Sequence, residues 1–233
     1  MGDTAAGISI LEASTFQSVT LIAESCSVTS LSGSNVYGIV VSLEGTTIDS
    51  LTVIAESLSG SGMGYFVDGF AIYSGHIQQL YLNMSNSIIS TNDGQYADGV
   101  SFTLPSISDS MISVTASVIE STGGASISGV TFWDFNNFIS FSSMTNSTIE
   151  FVGVVSQTNV IEIWEDPTIC GINIETFGLL LLSDVTILSD GSLTLTSTAT
   201  GASSNGVRIV GWEGTTTLTM TNVDITSVAN VSG

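Results

Sequence analysis

The chain of 233 residues contains no lysine and a single arginine, Arg208, against 21 acidic residues, for a formal net charge of −20. Only 9% of it is charged, where an average soluble domain carries about 25%. The acids are ordinary in number; the bases are missing. A surface without cations repels nucleic acid and anionic lipid, both of which are bound mainly through Lys and Arg. No nucleic-acid partner is therefore expected. Membrane insertion is not expected either, because no apolar run approaches the roughly 18 residues of a spanning helix. The longest, Phe177–Leu182, has six residues and includes a Gly. The N-terminus lacks the charged and apolar regions of a signal peptide. Cysteine is scarce too: Cys26 and Cys170 are too few for a disulfide framework. No window shows helical periodicity.

What the chain does have is a core-forming composition, 43% hydrophobic with a mean hydropathy of +0.49, and a repeat. One pentapeptide returns as AGISI (Ala6–Ile10), YGIVV (Tyr37–Val41), DGFAI (Asp68–Ile72), DGVSF (Asp98–Phe102), SGVTF (Ser128–Phe132), CGINI (Cys170–Ile174) and NGVRI (Asn205–Ile209). Its glycines are 31, 31, 30, 30, 42 and 35 residues apart. Self-similarity at this period is the signature of a solenoid. The residues one and three places after each Gly are apolar, and those between are mostly small or polar. That is alternation at period two, a strand with one buried face.

A second strand follows each first one, as in Val19–Ala23, Leu51–Ala55, Leu80–Met84, Ile112–Ala116 and Val185–Ser189. A third, shorter one is suggested at Cys26–Val28, Ser87–Ile89, Val118–Glu120 and Leu193–Thr196. Ser, Gly and Asn clusters between them are turn chemistry. The expectation is an all-β chain, a single domain over 1–233, folded as a parallel β-helix of about seven coils of about 30 residues with three strands each. Coils stack at the strand spacing of about 4.8 Å. Gly at the corner suits either positive φ or a close approach between coils. The fifth unit is longer, so 133–170 is expected to hold an irregular insertion.

A coil of this length resembles the right-handed parallel β-helix of pectin-lyase-like proteins, phage tailspikes and secreted adhesin passengers. The resemblance is one of repeat pattern and covers nearly the whole chain. Lyases of that superfamily typically need a Lys or Arg to take a proton or bind uronate, often with Ca2+; here only Arg208 is available. Its hydrolases use clustered Asp with a His and a base, and His76 has no such set around it. No catalytic residue is assigned on these grounds.

Two places could bind something. Asp68 and Asp98 precede the corner Gly in consecutive coils, so their carboxylates stack and could hold Ca2+; the plainer expectation is a solvated corner. The longer unit carries Trp164 with Glu162, Glu165 and Asp166, where an aromatic beside carboxylates could hold a sugar or a metal. The plainer expectation there is a loop whose Trp164 covers the core. Glu24 and Glu56 form a second carboxylate pair. Cys26 and Cys170 fall four or five coils apart, on the order of 20 Å, too far for a disulfide. Both are expected as free thiols, Cys26 packed as a small hydrophobe.

The function these features favour is structural or adhesive: a secreted or cell-surface solenoid acting through its surface, on a glycan or host surface. The alternatives are a glycan-active β-helix and a carbohydrate- or Ca2+-binding module. Three glycosylation sequons, at Asn83, Asn146 and Asn230, are what chance gives in a chain so rich in Ser, Thr and Asn. The first coil begins at Gly7, with no capping helix ahead of it. An uncapped solenoid either stacks end to end with copies of itself or continues into flanking coils of a longer chain.

Overall fold

The structure, a computed structural model, describes residues 4–11, 16–31, 35–42, 47–63, 65–92, 96–121, 126–133, 142–152, 155–158, 168–197 and 203–229, with side chains chiefly as far as Glu150. All described elements are strands, and no helix is long and apolar enough to cross a membrane. The first coil is β1 (Thr4–Leu11), β2 (Phe16–Glu24) and β3 (Ser27–Ser30). The second is β4 (Asn35–Ser42), β5 (Thr47–Glu56) and β6 (Ser59–Gly62). Then come β7 (Phe66–Ser85) with β8 (Ile88–Thr91), and β9 (Tyr96–Ser108), β10 (Met111–Thr115) and β11 (Val118–Ser121). Beyond them lie β12 (Ser126–Trp133), β13 (Ser142–Thr145), β14 (Thr148–Val152), β15 (Val155–Thr158), β16 (Thr168–Ser197) and β17 (Ser203–Ala229).

Successive coils pair in parallel, and the glycine repeat sets the register. Ile8 pairs with Ile39, then in turn Phe70, Val100, Val130, Ile172 and Val207. The second-strand column runs Leu21, Val53, Leu82, Ile112 and Ile149. The third runs Val28, Gly60, Ile89 and Ile119. These inward columns form one continuous apolar core; Ile39, Val53, Phe70, Val100, Ile112 and Ile119 are all fully buried. Each such side chain contributes about 1.5–3 kcal/mol by leaving water. The chain is a parallel β-solenoid.

Its coils are less uniform than the repeat suggests. Among the described residues three coils, 35–62, 66–91 and 96–121, are complete and enclose the core, in place of about seven alike. In β7 and β9 the first strand runs on into the second, and β16 and β17 extend over 30 and 27 residues. Between β16 and β17 the pairing is broken by register shifts at Glu175/Leu180, Ser183/Val185 and Asp190/Ser192. The expected insertion over 133–170 is partly regular as well. β13, β14 and β15 lie inside it and continue the ladders of β9, β10 and β11. Its extra length falls between Trp133 and Ser142 and between Thr158 and Thr168, outside the described residues.

One register differs from the sequence expectation by two residues: Leu82, not Leu80, stands beside Ile112. Ser110 then occupies the inward slot next to Leu80, and hydrogen bonding explains how a hydroxyl can sit there. Ser110 Oγ donates to the Ser108 carbonyl at 2.6 Å and accepts from the Leu80 amide at 2.8 Å. Ser147 repeats this on the next coil, donating to Thr145 O at 2.7 Å and accepting from Ser110 N–H at 3.2 Å. Ser87 and Ser117 form a second ladder of the same kind. The residue before each ladder serine is left-handed: Asn86, Asp109, Ala116 and Asn146 have φ between 46° and 51°. That turn presents the buried hydroxyl to two backbone groups at once, so neither is left unsatisfied.

The corner glycines are required for closeness, not for φ. The one described Gly with positive φ is Gly75. A Cβ on Gly69 would lie 2.7 Å from the Gly99 carbonyl oxygen and 2.8 Å from Met84 Sδ. On Gly99 it would lie 2.5 Å from Gly129 O. The neighbouring coil's backbone occupies the volume of a side chain. Gly69→Ala should therefore lower stability by about 2 kcal/mol or more in urea unfolding. Gly60→Ala is the control. Its Cβ would meet Ile89 Cδ1 at 3.4 Å and Asp68 O at 4.0 Å, both ordinary contacts, so a change within about 0.5 kcal/mol is expected.

Candidate functional site

Along each first strand the residues alternating with the core face the other way. On β4 these are Tyr37, Val40 and Ser42, and register extends them into columns. Tyr37 leads to Asp68, Asp98 and Ser128; Val40 leads to Ala71, Ser101 and Thr131; Ser42 leads to Tyr73 and Thr103. This outer face is not bare. Tyr37, Val40 and Ala71 are buried in a second apolar cluster, with Ala6, Phe66 and Tyr73 packed on it.

Asp68 and Asp98 are consequently not solvated corners. They are register partners, and each is 1% exposed. Ser128, Ser101 and Thr131 around them are buried as well. Ser101 Oγ donates to Asp68 Oδ2 at 2.6 Å. Asp68 Oδ1 and Thr131 Oγ1 are buried with no hydrogen-bond partner. Over the acids sit two tyrosines, their rings edge to face with centroids 5.9 Å apart and their hydroxyls hydrogen-bonded at 2.7 Å. Beside them a groove of about 460 Å³ is lined by Ala6, Ser9, Leu11, Tyr37, Val40 and Tyr73, among others.

The electrostatics follow from burial without counter-charge. Desolvation pushes the Asp68 carboxyl from 3.8 up to about 7, opposed only by the Ser101 hydroxyl. Burial, reinforced by the charge of Asp68, raises Tyr37 to about 12. Tyr73 is driven up by burial first, then by Asp68, Tyr37 and Asp98. Each ionised form is penalised because water is excluded.

The other sequence candidates are not part of this arrangement. Trp164, Glu162, Glu165 and Asp166 lie outside the described residues. His76 is exposed on β7, paired with Thr47 and Ser106. Glu24 and Glu56 do stack as register partners, and both are exposed. Cys26 is exposed, not packed, and its thiol reaches the Glu24 carbonyl at 3.4 Å. It occupies the slot that Leu58 fills in the second coil, but the first coil has no described neighbour on its other side. Among the described residues no three His, Cys, Asp or Glu side chains gather as a metal-binding group.

Sequence reasoning passed over Tyr37, Tyr73, Ser101 and Thr131. One signal was present: Ser101 follows Asp68 by 33 residues, and Thr131 follows Asp98 by the same 33. No protein-family model, curated protein or solved structure matches this chain.

The buried acid sets a pH dependence. Asp68 binds its proton more tightly in the folded state, at about 7, than its ordinary 3.8. Its favourable contribution is complete below about pH 4 and is lost as pH rises through about 7. In chelator-containing buffer the melting temperature should be higher at about pH 5 than at about pH 8. Asp68→Asn, neutral at both, should flatten that difference. A wild-type protein more stable at the alkaline end would contradict this assignment.

Proposed function

We propose that this protein is a non-catalytic, secreted or cell-surface β-helix of the adhesin-passenger or tailspike type, which acts through its surface and by stacking coil on coil. The observation that carries the reading is the open side of the first coil. Among the described residues, β1, β2 and β3 each pair on one side only, with β4, β5 and β6. Ile8, Ile10, Val19, Leu21 and Val28 are only partly buried, whereas their partners Ile39, Val41, Leu51 and Val53 are fully buried. Leu11 is 63% and Leu31 85% exposed. β1 carries neither a charge nor a proline to blunt its edge.

Another coil laid on this side, from a second copy or from flanking coils of a longer chain, would bury both the apolar columns and the unpaired edge. Repeated, it gives a fibre. Cys26 would become enclosed as Leu58 is. A glycan or host-surface contact is the second reading. It rests on an aromatic group at one corner, where Tyr65 is 46% exposed and packs against Phe66 and Tyr96 at 4.7 and 5.3 Å.

Self-stacking predicts linked changes in mass and thiol reactivity. With Cys170 replaced by Ser, alkylation of Cys26 should slow as concentration rises, in step with increasing mass by light scattering. Electron microscopy of the concentrated sample should show filaments. A particle of monomer mass at every concentration, with Cys26 equally reactive throughout, would eliminate self-stacking and leave flanking coils as the cover.

A further inference from the structure

The outer-face acids are two stacked carboxylates, both out of water, in a protein with almost no cation to neutralise them. No lysine exists, and Arg208 belongs to β17. Its backbone stands three strand spacings beyond Ser101 in the same column, through Thr131 and Asn173, or about 14 Å.

We propose that Asp68, Asp98, Ser101 and Thr131 bind one hard divalent cation of the Ca2+ class at the level of the Asp98 coil, reached from the coil on either side of it. Four features support this site, which stands independently of the stacking proposal. Every donor is a carboxylate or hydroxyl oxygen, the set that hard cations prefer. Parallel register places Asp68 one strand spacing, about 4.8 Å, to one side of the Asp98 coil and Thr131 one spacing to the other, so an ion beside Asp98 is within one spacing of all three residues. Two buried carboxylates balance one divalent charge.

The fourth feature is Thr131. It is fully buried and its Oγ1 has no partner. It stands to Asp98 as Ser101 stands to Asp68, one coil on and in the same column. Ser101 donates its hydroxyl hydrogen to Asp68 Oδ2 and keeps its oxygen lone pairs; Thr131 Oγ1 and Asp68 Oδ1 have no hydrogen-bond partner. A buried oxygen left in that state is destabilising, and a cation at the level of the Asp98 coil would offer a partner to each. The rival occupant is a proton shared between the carboxyls, which would do nothing for Thr131.

The full chain, refolded with Ca2+ and dialysed free of unbound ion, should retain one Ca2+ per molecule by elemental analysis. Its melting temperature should exceed that in NaCl of matched ionic strength. Tb3+ in the site should show tyrosine-sensitised emission from Tyr37 and Tyr73, and Ca2+ should quench it. An Asp68→Asn/Asp98→Asn variant should lose all three signals. Thr131→Val, which keeps the shape and removes only the hydroxyl, should bind Ca2+ about tenfold more weakly with undiminished stability in chelator. That variant carries the test if the double one does not fold. No retained ion, with equal melting in CaCl2 and NaCl, would overturn the site in favour of a shared proton. Full retention in both variants would overturn it by placing the ion elsewhere on the acidic surface.

Discussion

The whole molecule depends on how closely one coil can lie on the next at the glycine corner. The carbonyl of each corner sits where the preceding corner's Cβ would be, so only glycine lets the ladders on either side keep their spacing. Once that approach is fixed, the apolar columns come into register without further instruction. Ile39, Phe70 and Val100 meet because Gly38, Gly69 and Gly99 hold their coils together. A displaced corner would shift every column above it, and a one-residue shift would turn each inward side chain to the outer face.

Polar groups enter this architecture under one condition, that the stacking direction satisfies them. The inward serines do so, each giving its hydroxyl hydrogen to its own coil and accepting an amide from the coil before. The outer-face acids do so only in part. Asp68 receives one hydroxyl from the next coil, and its other oxygen is buried with no hydrogen-bond partner. The chain has no lysine to pair with these carboxyls. A proton or, as proposed above, a divalent cation from solution would balance their charge.

The open first coil and the buried acids belong to the same physics. Stacking satisfies a coil only where a neighbour is present. Cys26, Ile10 and Leu21 occupy slots that are buried one coil later, and among the described residues they differ from Leu58, Val41 and Val53 chiefly in having no coil over them. Exposure here is a property of position in the stack more than of residue type.

The fold was legible in the sequence because its determinant is local and repeated. A glycine followed by apolar residues at alternate positions specifies a strand, and recurrence at about 30 residues specifies parallel stacking. The ladder at Met144–Phe151 was legible too, since MTNSTIEF echoes ISDSMISV of 107–114, but the longer period around it hid the match. The site was legible only as two aspartates in one column. Whether that column faces water depends on what packs over the sheet's outer side, and alternation says nothing about that. The second apolar cluster, the tyrosine pair and the pairing of Ser101 with Asp68 all arise between coils, from residues some thirty positions apart. Sequence by itself determined which first-strand residues stack, because the glycine repeat marks their register. Tertiary structure decided which of those stacks lost their water, because burial is set by neighbours that no local pattern encodes.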